Sequence, residues 1–193
     1  VVQSNINAFG ELAMSGCGAY AKVEGFAFLP ITSFTSAITT FVGQNLGAEE
    51  FDRAKKGARF GILCSLLIAE GIGVITYVFS PAFIGAFCDS QAAITFGVDK
   101  AHICALFFCL LAATHCLSAV LRGAGRAMVP MVVMLSVWCV LRVSILWIAV
   151  PITQSINTVN WVYPITWSIS TVVLLIYYRK SDWLHSFQRE KAE

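Results

Sequence analysis

The sequence predicts an all-α fold, a polytopic membrane helix bundle, and three observations carry that prediction. Only 12% of its 193 residues are charged and 58% are hydrophobic, whereas ordinary globular domains run at about 25% charged. Apolar stretches of the roughly 17–25 residues that a span requires recur at Phe26 to Leu46, Phe60 to Gly85, Ile103 to Leu121, Val129 to Ile152 and Val159 to Tyr178. Polar and glycine-rich segments fall between these stretches, as they must in lipid, where each span has to satisfy its own backbone hydrogen bonds. The mean hydropathy of +0.75 agrees.

Taken in order, Val1 to Phe9 has the mixed pattern of the last turns of a helix that faces a bundle interior. The chain thus reads as starting inside a sixth helix, whose first part is incomplete. A processed N-terminus with a short peripheral segment is the other reading. No basic region precedes the first long run and no cleavage site follows it, so it is not a signal peptide. Full helices are expected at 25–46, 60–85, 102–121, 128–152 and 158–178, making one lobe of residues 1–178, with a basic tail over 179–193.

The first full span carries Thr32, Ser36, Thr40 and Gly43 along one helical face. Small and hydroxylated residues of this kind form either a packing seam between membrane helices or the wall of a cavity. Pro30 removes a backbone hydrogen bond and is expected to bend this helix. The segment GQNLGAEEFDRAKK (43–56) then forms a hinge, with Gly43, Gln44, Gly47 and Arg53 as its characteristic residues. Glu49 and Glu50 open the next helix at the positive end of its dipole.

Arg53, Lys55, Lys56 and Arg59 follow the first full span, Arg122 and Arg126 the third, and Arg179, Lys180, Arg189 and Lys191 the fifth. These connections alternate, so all lie on one side, which basic short loops mark as cytoplasmic. Ala13 to Lys22, Cys88 to Lys100 and Thr153 to Asn157 are then expected outside. The tail is expected to rest on the cytoplasmic interface through Trp183, Leu184 and Phe187.

Four ionisable residues are candidates for transport or coupling. Glu70 and Arg142 each sit near the middle of a span, where a charge costs roughly 2.5–3.5 kcal/mol on insertion scales. Their similar depth suggests either a structural ion pair or a transport role. His115 is a proton carrier or a residue hydrogen-bonded to a neighbouring helix. Glu24, at the outer start of the striped helix, is a gate, a cation-binding carboxylate or an interfacial charge that reaches water. The seven cysteines show no metal-ligand spacing, and no metal site is expected. Cys17 and Cys88 both fall in expected outer loops, which leaves a disulfide open. No zinc-protease, nucleophile-elbow or Walker motif occurs, and Gly123-Ala124-Gly125 lacks the strand and third glycine of a dinucleotide fingerprint. Neither an enzyme nor a nucleic-acid partner is expected; the lipid bilayer is.

GQNLGAEEFDRAKKGARFG, VLRGAGRAMVP and WVYPITW, in this order between spans of these lengths, resemble the C-terminal half of multidrug and toxin extrusion (MATE) transporters. The nearest branch is the bacterial one that includes the DNA-damage-inducible efflux proteins. The resemblance implies one six-helix lobe of a two-lobe transporter whose N-terminal lobe is missing. The chain would hold the end of helix seven and helices eight to twelve. GQNLGA would be the cytoplasmic turn between helices eight and nine, with its glycines at positive φ. The implied activity is cation-coupled antiport, driven by H+ or Na+, of small cationic or amphipathic drugs across the plasma (inner) membrane by alternating access. It needs no cofactor beyond the coupling ion. Members with a cation site in this lobe carry acids in helices seven and ten; Ile103 to Leu121 has none, which argues against a sodium site of that kind. Coupling would then depend on an acid in the first helix of the other lobe. A lipid-linked oligosaccharide flippase of the same superfamily and a non-transporting membrane fragment are the alternatives.

Overall fold

A computed structural model of the chain describes residues 2–185, and among them every regular element is helical. Phe187, Arg189 and Lys191 of the expected tail lie outside the described residues. A short helix, α1 (Val2–Asn7), leads through Gly10 (φ 96°) into α2 (Glu11–Gly47). Glu11 places an acid at the positive end of the α2 dipole. α3 (Phe51–Gly85), α4 (Gln91–Cys104), a 3₁₀ turn (Ala105–Phe107) and α5 (Phe108–Gly123) follow. α6 (Met128–Met134) then continues through a π-helical stretch (Leu135–Leu141) into α7 (Arg142–Thr153), and α8 (Ile156–Lys180) closes the lobe. With α4–α5 and α6–α7 each counted as one run, five runs are long and apolar enough to cross a membrane.

The packing follows from lipid as solvent. The inward face of α3 is built from Ala54, Ala58, Ser65, Ala69, Gly73, Thr76 and Ser80, while Phe60, Leu63, Leu67, Val74, Val78 and Phe79 point outward. Large apolar side chains gain nothing by leaving hydrocarbon, whereas small ones let helices approach closely. The α4–α5 run is the most enclosed of the spans. Around it lie one core of Tyr20, Ile31, Ile84, Phe108 and Trp167 and another of Val42, Leu46, Leu121, Leu174 and Trp183.

The 43–56 hinge is a helix end and a helix start joined by a short turn. The Glu50 amide donates to the Asn45 carbonyl (2.8 Å) and the Glu49 amide to the Leu46 carbonyl (3.2 Å), the paired bonds of a Schellman end. The α5–α6 turn repeats the pattern, Arg126 to Leu121 (2.8 Å) and Gly125 to Arg122 (3.0 Å). Its left-handed residue is Gly125 (φ 77°), but in the hinge that residue is Glu49 (φ 60°). The expectation of positive φ at the hinge glycines is therefore corrected: α2 stays helical through Gly47, which moves the left-handed position to Glu49. Gly43 instead lies where α2 crosses α5. A Cβ on Gly43 would stand 3.3 Å from the Gly123 carbonyl, and one on Gly123 only 2.6 Å from that of Thr39. Gln44 and Arg53 are exposed, the Arg53 guanidinium lying 6.0 Å from the centroid of the Phe41 ring.

The expected outer loops Ala13 to Lys22 and Cys88 to Lys100 are also corrected, since helix runs through nearly all of both. α2 and α4 meet there so closely that a Cβ on Gly97 would lie 2.7 Å from the Gly16 carbonyl. Their polar residues resemble loop composition, but small residues allow the backbones to interlock. Pro30 does not interrupt α2. Cys17 and Cys88 are both free thiols; Cys17 packs beside Leu146 and Val159, whereas Cys88 Sγ lies 3.3 Å from Ser15 Oγ.

At the hinge end, Arg126 donates to Tyr177 Oη and the Asp182 carbonyl (both 3.3 Å), and the Phe51 and His185 rings are 4.9 Å apart. Trp183 stacks on Tyr178 and is buried, so this part of the tail is packed into the lobe. The basic connections therefore gather at one end of the bundle. Glu49→Gly is expected to stabilise the protein by about 0.5–1 kcal/mol, and Gly47→Ala, in open space, to leave it unharmed. Gly123→Ala should cost about 1–3 kcal/mol through the blocked α2–α5 crossing. Thermal unfolding in detergent checks all three.

Candidate functional site

Four helical runs leave a cavity of about 320 Å³, and each supplies a pair of residues four apart: Glu24 and Phe28, Leu111 and His115, Trp138 and Arg142, Tyr163 and Trp167. On α2, α5 and α8 that spacing stacks two side chains on one helix face. On the α6–α7 run, Trp138 lies inside the π-helical stretch and Arg142 directly follows it. Widened turns of this kind recur at functional sites because they re-aim side chains within a helix.

Arg142 is held from two sides. Its Nη2 and Nε donate to Thr166 Oγ1 at 2.6 and 3.2 Å, while that hydroxyl donates back to a carbonyl of its own helix. The guanidinium also lies 5.2 Å from the Trp138 ring centroid and 4.7 Å from that of Tyr163. Such contacts contribute about 0.5–2 kcal/mol each, more where water is excluded. Lys100, on α4, lies 4.6 Å from the same Tyr163 ring and 5.4 Å from that of Tyr20. Glu24, half-buried, lies in the fields of both Lys100 and Arg142, yet closes a salt bridge with neither. Among the described residues the close contact of a carboxylate with a basic side chain is that of Asp182 with the His185 imidazole.

His115 stands edge-on to Phe28 (centroids 4.9 Å apart) and Trp138 (5.5 Å). Its Nε2 is buried without a hydrogen-bond partner among the described residues, so the expected bond to a neighbouring helix is replaced by aromatic contacts. The reason is angular. Thr114, one residue earlier, faces α8 and meets Thr171 (2.8 Å) and Ser170 (3.2 Å), which leaves His115 turned toward α2 and the π-helical stretch.

Glu70 is brought to a different place. Its Oε2 accepts the Cys109 amide at 3.1 Å. Cys109 lies in the first turn of α5, where amides have no partner within the helix. Glu70 thus caps, from α3, the helix start created by the 3₁₀ break. The expected Glu70–Arg142 pair does not form, because Glu70 faces α5 whereas Arg142 faces α8. Thr32, Ser36 and Thr40 are exposed along α2, and Thr32 donates to its own helix at Leu29 (2.8 Å). Among the described residues no cluster of His, Cys, Asp or Glu could hold a metal ion.

Lys100, Phe28, Trp138, Tyr163 and Trp167 do not stand out as site residues in the sequence. Lys100 falls in an expected loop, although 100, 104, 108, 111 and 115 share one helical phase that could have placed it. The aromatic residues follow the i, i+4 spacing of the charged ones, a signal visible only once pairs on separate helices are considered together.

The fold and this cavity define an integral membrane helix bundle with a charged, aromatic pocket between its spans. A family model described as MatE matches residues 1–148, and the chain belongs to the MATE family, whose members are transporters rather than enzymes. It is 27% identical over 180 residues to the probable multidrug resistance protein YoeA of Bacillus subtilis, covering 92% of this chain and 39% of the relative. It is 30% identical over 134 residues to the probable multidrug resistance protein NorM of Thermotoga maritima, covering 66% and 29%. A MATE crystal structure in complex with MaL6 superposes with a TM-score of 0.84 at 18% identity, over 92% of this chain and 40% of the other. The MATE transporter ClbM in complex with Rb+ gives 0.83 at 18%, over 98% and 44%. The chain thus spans well under half the length of the relatives it matches.

A double-mutant cycle on Glu70 and Arg142 is expected to show coupling below about 0.5 kcal/mol. Exchanging the two charges should not rescue folding. Glu70→Leu should cost about 1–3 kcal/mol by orphaning the Cys109 amide, and Glu70→Gln clearly less. Chemical unfolding of the detergent-solubilised variants reads both.

Proposed function

We propose that this chain is one lobe of a cation-coupled drug antiporter, completed by a second lobe, which exports small cationic or amphipathic compounds across the plasma (inner) membrane. The observation that carries this reading is the contrast between two exposed surfaces. The outer face of α3 is Phe, Leu and Val, suited to lipid. One exposed face of α2 is made chiefly of the small and hydroxylated residues Gly18, Ala21, Gly25, Thr32, Ser36 and Thr40, with Met14 and Leu29 as its large apolar members, and it lines the cavity through Ala21, Glu24 and Gly25. Hydroxyls and bare backbone suit a water-filled path or a second lobe, not lipid chains. Thr32, Ser36 and Thr40 would then extend the cavity wall.

In alternating access two lobes rock about a site near the membrane midplane. Phe28, Trp138, Tyr163 and Trp167 supply the faces on which an amphipathic compound rests. Glu24 supplies the carboxylate at which a coupling cation, H+ or Na+, competes with a cationic substrate. Arg142 and His115 border the same volume, whereas Glu70 maintains the lobe's interior. The hinge end, which gathers the basic residues, faces the cytoplasm together with the C-terminus, since basic short loops stay inside.

Glu24→Gln in the two-lobed protein is expected to lower cation-driven drug efflux by about tenfold or more, with membrane insertion unchanged. Uptake of a fluorescent cationic drug into inverted vesicles measures this. Unchanged efflux would remove Glu24 from the coupling site.

A further inference from the structure

A second cavity, of about 360 Å³, lies on the other side of α2, between α2 and α3. Val23, Ala27 and Thr76 form its buried floor, and Phe26, Ile75, Phe83 and Phe87 its exposed sides. The two helices part here because α2 changes partner along its length. Towards the hinge, Gly57 and Gly61 of α3 receive the Phe41 and Ile38 side chains of α2 so closely that a Cβ on either would collide. At the far end Gly16 brings α2 onto Gly97 of α4 instead, and a groove opens towards α3.

The depth of this groove follows from the rise of a helix. About 20 residues cross the roughly 30 Å hydrocarbon core, and Arg59 is the last basic residue at the hinge end of α3. Counted from there, the far boundary falls near Phe79. Ile72, Ile75 and Thr76 of the lining then lie within the hydrocarbon, and Phe83 and Phe87 at the interface. The Lys22 ammonium stands 5.1 Å from the Phe87 ring centroid, at the mouth of the groove. Among the described residues it closes no salt bridge, whether with Asp89 or with another acid. An apolar slot that starts at a free cation in the headgroup layer has the layout of a phospholipid, chain below and phosphate above. It is continuous with the exposed apolar face of α3, where Val74 and Val78 lie. Hydrocarbon chains gain little by leaving bulk lipid for such a slot. Selection must therefore come from the charge, and a lysine near the surface favours anionic lipid.

We propose that this groove holds one acyl chain of an anionic glycerophospholipid, in the leaflet opposite the hinge, with the lipid phosphate on the Lys22 ammonium. The assignment is independent of the transport reading. Its test places a tryptophan in the groove wall (Ile75→Trp) or at the same depth on open surface (Val74→Trp). The two-lobed protein is reconstituted into phosphatidylcholine vesicles in which part of the lipid is phosphatidylglycerol or phosphatidylcholine brominated in mid-chain. Bromine quenches a tryptophan that it touches, and the fluorescence of the parent protein is subtracted.

With Ile75→Trp, phosphatidylglycerol is expected to bind about fivefold more tightly than phosphatidylcholine; with Val74→Trp the two should quench alike. Adding Lys22→Met should abolish the preference, and Lys22→Arg should keep it. Equal quenching by both lipids with Ile75→Trp overturns the proposal, as does a preference that survives Lys22→Met. A preference of the same size with Val74→Trp overturns it too, because the lipid is then drawn to the surface at large. So does an Ile75→Trp reporter that neither lipid quenches, since the other lobe or a second copy then covers the groove. If Ile75→Trp does not fold, Phe26→Trp on the facing wall takes its place.

Discussion

The lobe depends on how its interrupted central run is held inside the bundle. Lipid offers no water to a broken helix, so every backbone group freed between α4 and α5 must find a protein partner. α3 provides for this from a single stretch. Gly73 lets the Ala105 carbonyl approach so closely that any Cβ would collide with it, and Glu70, one turn earlier, accepts the Cys109 amide. A carboxylate at mid-span is thereby turned from a liability into a helix cap. With the break satisfied, both halves stay buried, Lys100 of α4 against Tyr20 and Tyr163 and His115 of α5 against Phe28 and Trp138.

Aromatic rings manage most of the remaining charge. Tyr163 receives both Lys100 and Arg142, Trp138 a second face of Arg142, and Tyr20 a second face of Lys100. Cation–π contacts are less directional than hydrogen bonds and gain strength as water is excluded. They hold two cations without forcing an ion pair to close. The single close hydroxyl partner, Thr166, fixes the orientation of the planar guanidinium but leaves its charge uncompensated.

Much of the architecture was legible in the chain. The apolar runs, the presence of connections within 43–56 and 122–127 and the alternation of basic connections follow from composition and order. Glu24, Arg142 and His115 were legible as candidates and share one cavity. Their partners were not. Equal depth suggested that Glu70 and Arg142 meet, but depth along a span says nothing of the angle around it, and the two point to different helices. Helix ends were also misplaced, because Ser15, Tyr20 and Lys100 have loop-like polarity while lying on interlocked helical faces.

The sequence by itself determined that this chain crosses a membrane several times, which residues are too costly to bury without a reason, and, through its motifs, which family it belongs to. These are properties of local hydropathy and spacing, which lipid enforces segment by segment. Only the tertiary structure decided that Glu70 serves the backbone, that Glu49 rather than a glycine carries the hinge's left-handed turn, and that Lys100 is buried against Tyr20 and Tyr163. Those outcomes depend on the rotation of one helix against another, which small residues at the crossings set and which no single segment contains.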